Sequence, residues 1–194
     1  MVSMTRPDLW QDPGRLLTVD DLDDLPLDDD RRYELDDGVL IVSPAPLNIH
    51  QLVVARLTAI LTAACPEHLI VLPGVGINVT RYQHRVPDVA VVPADSFELD
   101  HIEHPPALVV EVSSRSTRLY DQNRKKDVYE GFGIPAYWII EPERERPRVI
   151  AFELRDGKYQ EVADVSGSDE FRATSPFPVA FRPAVLTRTG PLTS

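Results

Sequence analysis

Three short stretches of this 194-residue chain carry ionisable side chains in places where such groups are costly. Residues 87–92 read PDVAVV, residues 108–114 read LVVEVSS, and residues 121–129 read DQNRKKDVY. Asp88 opens a short apolar run, where the two-residue period of a strand puts it on the face of Ala90 and Val92. Glu111 is set inside a run of valines. An ionised carboxylate there must be paired, hydrogen-bonded or bound to a cation. Two carboxylates meeting on adjacent strands repel each other, and a divalent cation between them removes the repulsion. Read alone, Asp88 is better explained as a strand cap, and Glu111 could pair with an arginine. Burial among valines favours the chemical reading for Glu111.

Lys125 adds discrimination. Lys125, Val128, Tyr129 and Phe132 follow i, i+3, i+4, i+7 spacing, so Lys125 shares the helix face that must pack on a sheet. Lys126 is rotated by ~100° toward solvent. The plain alternative for Lys125 is a snorkelling stem with its ammonium at the edge. Beside a carboxylate–cation site, the same ammonium could position a water or stabilise charge developing on a phosphorus centre. Glu34 in the first hairpin serves equally well as a surface strand residue or a ligand. His50 opens a helix, where capping or packing is the preferred role. Tyr129 and Trp138 are expected in the core. His68, His84, His101 and His104 lack metal-ligand spacing and receive no role.

The elements that must position these groups can be read from period and punctuation. Residues 33–44 form two β-prone runs around Asp36-Asp37-Gly38, the signature of a hairpin turn. Residues 48–64 repeat apolar positions at helical spacing and are closed by Pro66. Strands are expected within 68–79, bent at Pro73-Gly74, and at 88–92, 108–113 and 137–141. A second helix runs from near Asp121 to Phe132, with Gly133 as its C′ residue and Pro135 preventing continuation. Residues 149–154 and 159–165 form a hairpin around Asp156-Gly157. The tail after Phe181 is rich in Pro and Thr and carries little structural signal. This order predicts an α/β (α+β) fold: a mixed β-sheet with a helix on each face. Strands outnumber crossovers, so it is not doubly wound. The isolated Gly-Val-Gly at 74–76 precedes a strand and is no phosphate loop.

Composition bounds the rest. The length suits one domain spanning 1–194, with a core of about residues 18–182 and flexible termini. The hydrophobic fraction of 43% and charged fraction of 26% are those of a globular protein. No membrane span or leader pattern is present, and Cys65 as the one cysteine allows no internal disulfide and no thiolate-rich zinc site, so a cytoplasmic location is expected. The net charge of -11 argues against a protein that coats nucleic acid, though a local basic patch can coexist with it. Seven aspartates lie between residues 20 and 30, where Thr18 can cap a short helix; the spacing lacks the glycine and terminal glutamate of a calcium loop.

Taken together, the segments YELDDGVLIVSPAP, PDVAVV, LVVEVSS-x-ST, D-x-x-x-K-x-x-x-Y and GIPAYWIIEP resemble the Uma-two family of restriction endonucleases, within the PD-(D/E)XK nuclease superfamily. The resemblance runs over residues 33–142, with five motifs in order. It implies a restriction-endonuclease-like sheet with an N-terminal β-hairpin extension. It also implies a site in which Asp88, Glu111, Glu34 and the Val112 carbonyl hold Mg²⁺ or Mn²⁺ and Lys125 is the catalytic lysine. In the parent superfamily the lysine sits two residues after the second acid, where this chain has Ser113. Here its counterpart has migrated to the following helix.

The expected function is therefore divalent-metal-dependent endonucleolytic hydrolysis of DNA, leaving a 5′-phosphate, by a homodimer. Two alternatives stay open: a catalytically idle nuclease-like binding or regulatory module, which the acidic charge favours, and a hydrolase of a small phosphoester.

Overall fold

The computed structural model describes residues 14–25, 31–97, 101–113 and 121–190. Part of the aspartate run (26–30), the Ser-Thr motif at 114–117 and the extreme termini lie outside these residues. Among the described residues twelve strands, β1 (Arg32–Asp36), β2 (Val39–Ser43), β3 (Leu69–Pro73), β4 (Ile77–Thr80), β5 (Gln83–Arg85), β6 (Val89–Pro93), β7 (Leu108–Val112), β8 (Ala136–Glu141), β9 (Arg148–Arg155), β10 (Lys158–Ser166), β11 (Phe171–Ala173) and β12 (Val179–Phe181), form three sheets. The helices are α1 (Asn48–Ala64), α2 (Lys126–Phe132), which continues a π-helical turn at Asp121–Lys125, and the short α3 (Ala184–Thr187).

The central sheet has six strands in the order β10-β9-β8-β7-β6-β3. Its β7–β8 pair is parallel and is joined through α2, whereas its other pairs are antiparallel, so the sheet is mixed. Alternation divides its side chains between two cores. On one face Val53, Leu57 and Leu61 of α1 pack with Val89, Val91, Val110 and Trp138. On the other, Tyr129 of α2 packs with Ala90, Val109, Tyr137 and Ile139. The expected layering, a mixed sheet flanked by helices, is the one observed.

The first hairpin turns at Asp37 and Gly38, both with positive φ (49° and 78°), as a two-residue loop matching strand twist requires. A Cβ on Gly38 would stand 2.8 Å from that of Leu16, so the close approach also needs glycine. This hairpin is joined by β5 and β4 into a second, four-stranded sheet in the order β2-β1-β5-β4. The expected bend at Pro73-Gly74 thus divides two strands that belong to different sheets. β5 is missing from the sequence reading because Gln83-His84-Arg85 has no apolar alternation, yet all three residues are buried.

Residues past 166 contribute more than their composition suggests. Phe171 meets Trp138 edge to face at 4.9 Å, Phe181 lies 6.5 Å from Trp138, and Leu186 of α3 is fully buried. Thr18 does precede a short 3₁₀ turn, Val19–Leu22, where Asp21 accepts its N–H and hydroxyl. Among the described residues no helix is long and apolar enough to cross a membrane.

Candidate active site

β6 and β7 are antiparallel neighbours, and the register pairing Val89 with Val110 puts Asp88, one residue earlier, level with Glu111. β1 brings a third acid. Arg32, Glu34 and Asp36 alternate along it and so share a face, and Glu34 Oε1 accepts the Val86 N–H at 2.9 Å, just ahead of Asp88. The turn leading into α2 supplies Lys125, whose Nζ is 2.9 Å from Glu111 Oε2 and 3.6 Å from Glu34 Oε1. The side chains of Asp88, Glu111, Glu34 and Lys125 are only 2%, 3%, 4% and 7% exposed. The structure thus brings Glu34, Glu111 and Lys125 into direct contact and seats Asp88 on the adjoining strand. Val112 presents its N–H to Asp88 Oδ2 at 2.6 Å. Ser113 is buried, with its N–H given to the Ile140 carbonyl.

Three side-chain partners of these acids were not assigned from the sequence. Arg32 Nη2 is 2.7 Å from Asp88 Oδ1, and His50 Nε2 is 3.0 Å from Asp88 Oδ2. A carboxylate only accepts, so Nε2 of His50 carries the proton in that contact. Capping or packing, the role preferred for His50, gives way to this contact: Leu47 is the cap residue of α1, and His50, one turn in, turns its ring to Asp88. Tyr129 is in the core as expected, but its hydroxyl also donates to Glu111 Oε1 at 2.6 Å. An arginine is indeed present at the acids: Arg32 pairs directly with Asp88 and also feels the charges of Glu111 and Glu34. Alternation of Arg32, Glu34 and Asp36 was the one signal that could have found Arg32. Lys126, expected in solvent, lays its ammonium over the Phe152 ring at 3.8 Å from the centroid. Of the unassigned histidines, His84 is buried against His101, with ring centroids 5.4 Å apart.

The electrostatics follow from this packing. Burial pushes the Asp88 carboxyl up, but the His50 hydrogen bond, the Arg32 charge and the Val112 N–H outweigh it and bring it down to about 2. Burial and the charges of Glu111 and Glu34 push the Tyr129 hydroxyl well above its ordinary 10, so it remains a donor. Because the Asp88 value is depressed from 3.8, its contribution is complete above about pH 4 and is lost as pH falls toward 2. At about 1.4 kcal/mol per unit this amounts to roughly 2 kcal/mol. Denaturant titrations from pH 5 to 2 should show Asp88→Asn lacking that part of the wild-type decline. A variant with the wild-type slope would mean that Asp88 is not held by these donors.

The fold is similar to that of a solved protein from Anabaena variabilis ATCC 29413 described as "a putative nuclease belonging to DUF820". The TM-score is 0.65 at 17% identity, covering 82% of this chain and 89% of that one, which is a likeness of fold. No curated protein sequence matches the chain. A family model described as "Putative restriction endonuclease" matches residues 19–188, a span that takes in Glu34, Asp88, Glu111 and Lys125, and the chain accordingly belongs to the Uma2 family.

Proposed function

We propose that this protein is an endonuclease that hydrolyses DNA phosphodiester bonds with the help of Mg²⁺ or Mn²⁺. The observation that carries the reading is the buried convergence of Glu34, Glu111 and Lys125 beside Asp88, with Asp88 and Glu111 level at neighbouring strands of a fold in this family. The donor set fits a hard divalent cation: carboxylate oxygens from Asp88, Glu111 and Glu34, with the Val112 carbonyl at the strand end. As the side chains stand, no group of three or more His, Cys, Asp or Glu among the described residues is arranged around one point. The reason is visible, since Asp88 and Glu111 are engaged by Arg32, His50, Lys125 and Tyr129. For Asp88 to hold a cation, Arg32 would have to give up that carboxylate. Bound there, the cation would activate a water and neutralise the scissile phosphate.

The chain's own groups do the positioning. His50 and the Val112 N–H fix one oxygen of Asp88, and the Tyr129 hydroxyl fixes one of Glu111. Lys125, anchored by Glu111, directs an ammonium at the reacting phosphate or its attacking water. Arg32, once released, carries a guanidinium suited to a phosphate oxygen. Cutting both strands of a duplex calls for two such sites, which a homodimer of one-unit subunits acting in the cytoplasm would supply.

Two experiments bear on this reading. Incubation with linear, circular and single-stranded DNA in Mg²⁺, Mn²⁺ or EDTA should give cleavage only with a cation. No cleavage of any form would reject it. Separately, Arg32→Ala in cation-free buffer should cost up to about 3 kcal/mol, because a mostly buried ion pair loses one partner. Added Mn²⁺ should then restore more stability to the variant than it adds to the wild type. A variant as stable as wild type without cation would show that Arg32 does not compensate the acids. The net charge of -11 favours a second reading, in which the compensated site belongs to a binding module or acts on a small phosphoester.

A further inference from the structure

Lys125 and its neighbour Arg124 reach the same strand. Lys125 Nζ lies near Glu34, and Arg124 engages Asp36, two residues further along β1. Arg124 Nε donates to the two Asp36 oxygens at 3.0 and 3.2 Å, and Nη2 is 2.8 Å from Oδ1. The same Nη2 also pairs with Asp37. Two consecutive cations thus meet two successive positions on one face of β1. Asp36 is fixed from behind as well: Nη2 of the fully buried Arg85 is 2.6 Å from Oδ1, and Gln83 Nε2 donates to it at 3.1 Å. Gln83 Oε1 in turn accepts the Asp37 N–H at 2.6 Å. Burial pushes the Asp36 carboxyl up, but Arg124, Arg85 and Gln83 bring it down to about 2. The turn that delivers Lys125 is π-helical, so its side chains leave in directions that depart from regular α-helical ones.

We propose that Arg124 is the positioning residue for Lys125: its guanidinium, locked on Asp36 and Asp37, holds the π-turn so that the next residue's ammonium falls between Glu111 and Glu34. A forked contact to a carboxylate fixes orientation as well as distance, which a single ammonium cannot do. The clamp stands on geometry alone; its consequence for catalysis rests on the nuclease reading.

The chain has only three lysines, Lys125, Lys126 and Lys158, so reductive methylation followed by mass spectrometry reports on each. In the wild type Lys125 should react slowest and the exposed Lys158 fastest. Arg124→Ala should raise the Lys125 rate about three- to tenfold, the scale of a partly exposed ion pair, with Lys126 and Lys158 unchanged. Arg124→Lys should recover part of the protection, and Asp37→Asn, which removes the outer contact, should give a smaller rise. On DNA, Arg124→Ala should lower kcat with KM unchanged. An unchanged Lys125 rate in folded Arg124→Ala overturns the proposal whatever the DNA assay gives, as does an equal rise at Lys126, which would mean general loosening of α2. If Arg124→Ala does not fold, an unchanged Lys125 rate in Asp37→Asn overturns it. A raised Lys125 rate in a protein that cuts no DNA keeps the clamp and removes the nuclease reading.

Discussion

Lys125→Ala is expected to lower turnover on DNA by on the order of 10²-fold or more, while Lys126→Ala leaves it within a few fold. The two lysines are adjacent and carry the same charge, so general attraction for a polyanion changes almost equally when either is removed. Their surroundings differ. Lys125 Nζ is buried at 2.9 Å from Glu111, whereas the Lys126 ammonium rests on the Phe152 ring at the surface of α2. Losing that cation–π contact costs about 0.5–1 kcal/mol of stability and touches no acid. Losing Lys125 leaves Glu111 and Glu34 buried beside each other without their shared cation, a change of about 3–5 kcal/mol. Turnover must therefore be compared well below the lowered melting temperature, with DNA affinity measured on the same preparations. Equal effects of the two substitutions on an active wild type would remove Lys125 from the chemistry.

The second large effect expected is on cation binding. Mg²⁺ or Mn²⁺ should raise the thermal stability of the wild type, and Asp88→Asn with Glu111→Gln should abolish that rise. A cation at a hundredfold excess over its Kd adds about 2.7 kcal/mol to a protein it binds only when folded. For a chain of this size that is roughly 5–10 °C in Tm. The difference between melting with and without cation is the quantity to follow, because the substitutions also alter the ion pairs to Arg32 and Lys125 and so shift the baseline. Calorimetry showing equal cation binding by the wild type and the double variant would sink the assignment of these acids as ligands.

Much of the positioning was legible locally. Asp37-Gly38 demanded a hairpin because its two turn residues must adopt positive φ. Val53, Leu57 and Leu61 recur on one side of residues 48–64, which fixed both the helix and its buried face. A carboxylate among valines pointed to Glu111, and i+4 spacing to Tyr129 turned Lys125 inward even though its turn is π- rather than α-helical. The family motifs added Glu34, which its own surroundings in the sequence left undecided.

What the sequence determined by itself, then, was which face each residue takes, since side-chain period is a property of the local backbone. What only the tertiary structure decided was who meets whom across long separations. Arg32 reaches Asp88 from β1, a strand of the second sheet, and His50 reaches it from the first turn of α1. The second sheet has no local signal: its β5 is built of Gln83 and Arg85, made buriable by Asp36 nearly fifty positions away, and of His84, which is paired with Asn78. The same holds for Phe171 and Phe181, in a segment with no apolar period, and for Leu186, in the Pro- and Thr-rich tail after Phe181. They become core only because Trp138 and α1 offer them a surface to cover.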